Sequence, residues 1–283
     1  MFSKGQDALN GTKEFLESNS LVAKIAFLIM VLILFIVVLR LGTSILANIF
    51  SFSNSPYLVK GMVDARQMIT IPQDPSLNNS ITLMRSTNEN EGVEFTYSVW
   101  IYIDDLQYNK GQYKHVFHKG NDQINFETSN GTAAGMNQPN NAPGLYIAPN
   151  TNSLVVVMNT FNTINNEVVI PDIPINKWVC VQIVVENREL DVYINGLLTR
   201  RVILDGVPRQ NYGDVFVAMN GGFSGYISDL RYFNSSLGTA KIQSIVSNGP
   251  NLEMTGDMLK KSKPRYLPMR GFFKGSGVTD SYN

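Results

Sequence analysis

A single cysteine, Cys180, in 283 residues rules out an internal disulfide, so the fold must be held by burial and hydrogen bonding. Within an apolar run such a thiol behaves as a small hydrophobe, and the lack of bridges leans toward folding in a reducing compartment. Histidine is almost as scarce. His115 and His118 are the only two, and an i, i+3 pair in an extended strand points to opposite faces, which predicts that they do not share a metal. Cys180 has no recognisable partner histidine for nucleophilic work. Net charge is absent as well: 23 basic residues balance 23 acidic ones, which removes any overall attraction to nucleic acid and leaves electrostatic recognition to local patches. No glycine-rich phosphate cradle stands out, because Gly221-Gly222 precedes a strand pattern rather than a helix. Glu189 and Asp191 share a strand face, but alternation turns that face to solvent, opposite Leu190, Val192 and Ile194, so catalysis by this pair is not expected. The chain reads as a non-enzymatic protein without catalytic or cofactor-binding residues.

What the chain does have is a β-rich middle. The stretch from Trp178 to Gly196 reads as two strands joined at Asn187-Arg188. In the first, Trp178, Cys180 and Val184 alternate with Val179, Val181, Ile183 and Val185, so both faces are apolar and the strand is expected at the centre of a sheet. In the second, Leu190, Val192 and Ile194 oppose Glu189, Asp191 and Tyr193, the pattern of a half-buried antiparallel strand. Asn195-Gly196 suits a type I′ turn into a third strand. Further strand patterns cover residues 67–71, 80–85, 95–103, 113–119, 124–127, 144–148, 153–159, 167–170, 198–204, 215–220 and 225–233. Short strands separated by Asn, Gly and Pro predict a two-sheet antiparallel sandwich. The paired asparagines at 78–79, 140–141 and 165–166 are expected in turns. One connection, 128–143, is longer than most loops in compact domains, and such loops are functional or mobile.

Four stretches in order resemble the laminin-G-like, concanavalin A-like jelly roll. They are a Trp-bearing strand around Trp100, the strand 113–120, the Lys177-Trp178 strand leading to the Tyr193-x-Asn195-Gly196 hairpin, and a closing strand with Gly225 and Asp229. The resemblance covers roughly residues 67–250 and implies an all-β jelly-roll sandwich. Glycosidase relatives carry a Glu-x-Asp-x-x-Glu strand that this chain lacks. Calcium occurs in the family on loop carboxylates at the sandwich rim; Asp104, Asp105 and Asp122 qualify by loop position, and ordinary turn chemistry explains them equally well.

Ahead of this domain, Ile25 to Leu39 contains no polar residue, no Gly and no Pro. Ile25, Phe27, Leu34 and Leu39 mark a run flanked by Lys24 and Arg40, whose stems can snorkel to head groups while apolar neighbours extend the span; the competing reading, a cleaved signal peptide, is weakened by the long leader with Asp7, Glu14 and Glu17. The organisation expected is a leader over 1–20, amphipathic or merely solvated, a single transmembrane helix over 21–50, a linker over 51–66, the sandwich over 67–250 and a basic tail over 251–283. Lysines and arginines lie on both sides of the span, so they do not set its orientation. In the tail, Lys260, Lys261, Lys263, Arg265 and Arg270 are interleaved with aromatics including Phe272 and Phe273, a pattern suited to a membrane surface, a phosphate backbone or an acidic protein face.

Taken together, these features favour a membrane-anchored structural protein. Tethered, Asn-rich, disulfide-free domains of this kind resemble minor capsid or virion membrane proteins of large double-stranded DNA viruses. That resemblance implies a link between an inner membrane and the capsid shell, with the bilayer and capsid proteins as partners and nucleic acid not among them. The alternative is a surface or envelope lectin, with Tyr102, Tyr108, Tyr146 and Tyr212 as candidate sugar platforms.

Overall fold

The computed structural model describes residues 21–50, 53–86, 93–126 and 134–254. The chain divides into two compact units, Met1–Ser51 and Phe52–Asn283. The leader, part of the long loop and the C-terminal cluster from Lys260 to Phe273 lie outside the described residues.

In the first unit, helix α1 (Leu21–Phe50) runs for 30 residues. Its stretch Leu21–Leu46 is long and apolar enough to cross a membrane. At 1.5 Å per residue those 26 residues reach about 39 Å, against about 30 Å of hydrocarbon. Apolar side chains from Ile25 to Leu46 are exposed around the whole circumference rather than along one stripe.

The second unit is a sandwich of two six-stranded sheets. Its strands are β1 (Met62–Asp64), β2 (Ile69–Ile71), β3 (Glu94–Asp105), β4 (Lys114–Gly120), β5 (Gly144–Ile147), β6 (Leu154–Met158), β7 (Asn166–Ile170), β8 (Trp178–Glu186), β9 (Glu189–Ile194), β10 (Leu197–Ile203), β11 (Asp214–Val217) and β12 (Ser224–Phe233). One sheet has the order β1-β12-β3-β8-β9-β10 and the other β2-β11-β4-β5-β6-β7, every neighbouring pair being antiparallel. Alternation explains the layering. Phe95, Tyr97, Val99, Ile101 and Ile103 of β3 and Val179, Val181, Ile183 and Val185 of β8 face inward, meeting Phe117, Leu145, Val156 and Val215 of the opposite sheet.

The hairpin forms as its residues dictate. Ile194 pairs with Leu197 across Asn195-Gly196, both at positive φ. The Asn195 carboxamide oxygen also accepts the Cys180 N–H at 2.9 Å, extending the β8–β9 ladder by one bond. Gly225 sits at φ 146° in a bulge, where a Cβ would lie 1.8 Å from the Tyr102 carbonyl oxygen. In a second β12 bulge, Asp229 accepts the Gly61 N–H at 2.9 Å. Trp100 and Trp178 lie on the outer face of their sheet, Trp178 against Tyr102 at 5.6 Å. The short helix α2 (Thr239–Asn248) covers part of that face, inserting Ile242 beside Val184 and Tyr193.

Four expectations need correction. The segment 51–66 is not a free linker: Leu58 and Val59 are buried, both donating N–H bonds to the Leu230 carbonyl, and β1 pairs with β12. Residues 80–85 form no strand, because their backbone is bonded by a side chain, as described below. Of the strand expected over 124–127, the described residues 124–126 contribute one bridge, Ile124 with Asn137. The outer face of β9 is not open to solvent, since Asp191 and Tyr193 are buried beneath Arg201 and α2.

Candidate functional site

At one end of the sandwich the two sheets part to form a cleft of about 600 Å³. Its floor is aromatic. Tyr97 lies 5.1 Å from Tyr232, with Phe95 edge-on at 6.0 Å, and stacks on the core residue Phe117, outside the lining, at 5.4 Å. The walls are loops from four distant parts of the chain: 73–85, the start of β3 at Val93, the β6–β7 turn at Phe161, and 207–212 before β11. At the mouth stand Phe161 and Tyr212, 72% and 97% exposed. Large hydrophobic side chains held this far into water, beside a cavity, mark a contact surface.

Two polar residues shape these walls. Gln73 replaces a strand neighbour: its side-chain amide donates to Ile81 O at 3.0 Å and accepts from Leu83 N–H at 3.0 Å. Two of the bonds that the run at 80–85 would give a ladder go to this side chain, while the Ile81 N–H donates to the Pro72 carbonyl. Asp205 organises the opposite wall. Its carboxylate accepts from Thr160 Oγ1 at 2.6 Å, from Thr163 Oγ1 and from Asn166 Nδ2 at 3.2 Å, and the threonine bonds hold it below its ordinary value. The loop carrying Phe161 is thereby tied to the chain before Val207. Neither residue stood out in the sequence, because each acts on partners distant along the chain or on loop backbone.

Lys119, at the end of β4, is the cation of the cleft interior. It is partly buried and donates from Nζ to the Gly213 carbonyl at 2.5 Å. Burial pulls its ammonium down to about 8, against the support of Asp214. Asp74 is held ionised by the Ser76 N–H, which it accepts at 2.8 Å.

The two histidines correct a further expectation. Val116 is the extra residue of a bulge between His115 and Phe117, which changes the alternation and brings both imidazoles to the same outer face. His115 Nδ1 accepts the Met219 N–H at 3.0 Å, so its Nε2 carries the proton and donates to His118 Nδ1 at 2.6 Å. His118 Nε2–H then donates to Asn121 O at 2.8 Å. All four ring nitrogens are committed to this relay. Burial pushes His118 down to about 4 and His115 well below its ordinary value.

The remaining candidates scatter. Arg201 grips Asp191 with two bonds of 2.7 and 2.5 Å and approaches Glu189 at 3.5 Å, so that carboxylate pair is spent on an ion pair. Asp105 accepts the Gln107 N–H in a turn, and Asp104 and Asp122 are exposed elsewhere. Among the described residues no three His, Cys, Asp or Glu side chains form a metal-sized group. Tyr146 is wholly buried, Tyr108 donates to Gly221 O at 3.1 Å, and Tyr102 lies on the outer face; only Tyr212 of the four candidate platforms borders the cleft. Cys180 is buried, its thiol pushed up to about 12 by desolvation. The asparagines at 140–141 do more than turn the chain. Asn141 is fully buried, accepting from Tyr146 Oη at 2.6 Å and donating to Asn137 O at 2.7 Å, and it fastens residues 134–143 onto the sheet.

The family model of the concanavalin A-like lectin/glucanases superfamily matches residues 75–243. The chain belongs to this superfamily. No curated protein matches it. Among solved structures, this laminin-G-like sandwich is similar to the receptor-binding domain of botulinum neurotoxin D, at 15% identity and a TM-score of 0.47 over 69% of this chain and 48% of that one. The binding domain of botulinum neurotoxin DC, solved with rat synaptotagmin II, matches at 17% identity and a TM-score of 0.41, over 55% of this chain and 36% of that one. The serotype D ligand-binding domain, solved with N-acetylneuraminic acid, matches at 15% identity and 0.41, over 57% and 38%. The chain spans less than half the length of each.

Proposed function

We propose that this chain is a non-enzymatic, membrane-anchored interaction protein in which α1 sits in a bilayer and the sandwich presents its open end to a partner. The observation that carries the reading is the cleft with exposed Phe161 and Tyr212 at its mouth, in a chain whose first described element is an all-round apolar helix. Two facts speak against glycoside hydrolysis. The Glu189 and Asp191 carboxylates are held by Arg201, and Asp74 is the one carboxylate among the described residues lining the cleft, without the second acid that glycoside hydrolysis uses. Hydrolysis of a glycan by the purified chain would overturn this part.

In its finer form the proposal is a tether between the inner membrane and the shell of a large double-stranded DNA virus, with capsid proteins as partners and the basic tail, Lys260 to Phe273, as a further contact. This form rests on the sequence resemblance. Cross-linking within intact particles tests it: links from the cleft rim to a shell protein are expected, and links confined to lipid or to other copies of this chain would sink it.

A lectin is the second reading, favoured by Tyr212 standing beside Asn211, Gln73 and Asp74 at the rim, the pairing of aromatic and amide groups that sugars need. Glycan-array binding that disappears in Tyr212→Ala would select it over the tether.

A further inference from the structure

The cleft has more chemistry than a docking rim requires. Its lining is largely apolar, including Leu83, Val93, Phe95 and Tyr97, yet Lys119 lines the same space. That ammonium has one acceptor, the Gly213 carbonyl, out of three that it can engage. Asp214, which supports its charge, is committed to the Gln73 N–H at 2.8 Å. Among the described residues Lys119 makes no ion pair, the two ion pairs both belonging to Arg201. A partly buried cation in an apolar cavity is costly unless an anion meets it.

We propose that the cleft binds an anionic amphiphile, with a carboxylate or phosphate head on Lys119 Nζ and an alkyl or aromatic body along Leu83, Val93, Phe95 and Tyr97. The volume fits, since 600 Å³ lies within the range of small-molecule sites. The electrostatics fit as well: the described charged residues lining the cleft are Lys119, Arg85 and Asp74, a net positive set. This rests on the reading of the cleft as the binding site and adds the class of ligand. The head could belong to a membrane lipid or to a free fatty acid, and the two sources share the same chemistry at Lys119.

The test uses the full chain in phosphatidylcholine nanodiscs, titrated with octanoate, octanol and octylammonium against empty discs. Octanoate should bind about tenfold or more tightly than octanol, and octylammonium should bind more weakly than either. Lys119→Met should remove the difference between octanoate and octanol, whereas Lys119→Arg, which keeps the charge, should preserve it and serves as the control for folding. The preference should also fade as the pH rises through the Lys119 value of about 8. Repeating the titration in discs containing phosphatidylserine separates the sources: competition identifies a lipid head group, and undiminished octanoate binding identifies a free carboxylate. Equal binding of octanoate and octanol, or a preference that survives Lys119→Met, would overturn the proposal. The tether and lectin readings are tested at Phe161 and Tyr212, so their failure would be seen separately.

Discussion

Single residues carry several of the commitments of this fold. His118 and His115 are buried as neutral rings, with His118 depressed from 6.5 to about 4. Between those values the unfolded chain binds more protons than the folded one, so stability is complete above about pH 6.5 and falls as the pH drops toward 4. At about 1.4 kcal/mol per unit, His118 alone removes about 3 kcal/mol across that window. Urea melts at pH 7.5 and 4.5 should show this loss, and His118→Phe should flatten the dependence. Asn195 is a second such residue. Asn195→Ala forfeits the bond to the Cys180 N–H and places alanine at φ 50°, with an expected cost of about 1–2 kcal/mol in the denaturation midpoint. That turn was readable from Asn195-Gly196 because its conformation is set locally. The histidine geometry was not, because a bulge is decided by the partner strand, and nothing in Lys114 to Lys119 announces that Val116 will be skipped.

Among elements, β3, β8 and β9 were legible because one face of each is continuously apolar, and the burial of that face decides the strand. Residues 80–85 carry the same kind of pattern and do not form a strand. Ile81 O and the Leu83 N–H are met by the Gln73 side chain and the Ile81 N–H by the Pro72 carbonyl, a choice that alternation does not encode. Replacing Gln73 with alanine would leave the Leu83 N–H without its acceptor; faster amide exchange at Leu83 and a loss of about 2 kcal/mol are expected. Strand β12 turns on Gly225. Gly225→Ala forces a Cβ against the Tyr102 carbonyl at 1.8 Å, and the loss should be about 3 kcal/mol or more in thermal or chemical melts. The candidate site was the least legible feature: Tyr212 drew notice as an aromatic, but the cleft comes from four loops that only the sandwich brings together, and Lys119 reads in sequence as an ordinary strand-end lysine.

For the whole molecule, the membrane reading makes its own demand on α1. Two arginines on one face, Ile33→Arg with Val37→Arg, add about 2.5–3.5 kcal/mol each at the centre of a span. The double variant should leave the carbonate-resistant membrane fraction, while a helix that never enters lipid would tolerate the change. The sandwich has a vulnerability of its own at β10, the outer strand of its sheet. Leu197, Leu198 and Ile203 lie exposed there, and among the described residues no strand pairs with its backbone groups facing away from β9. Arg200 and Arg201 interrupt that greasy border with charge, and like charges discourage a second copy from lying alongside. Neutralising Arg200 would leave one guanidinium on this border, already held by Asp191, to oppose edge-to-edge fusion with a neighbouring sheet.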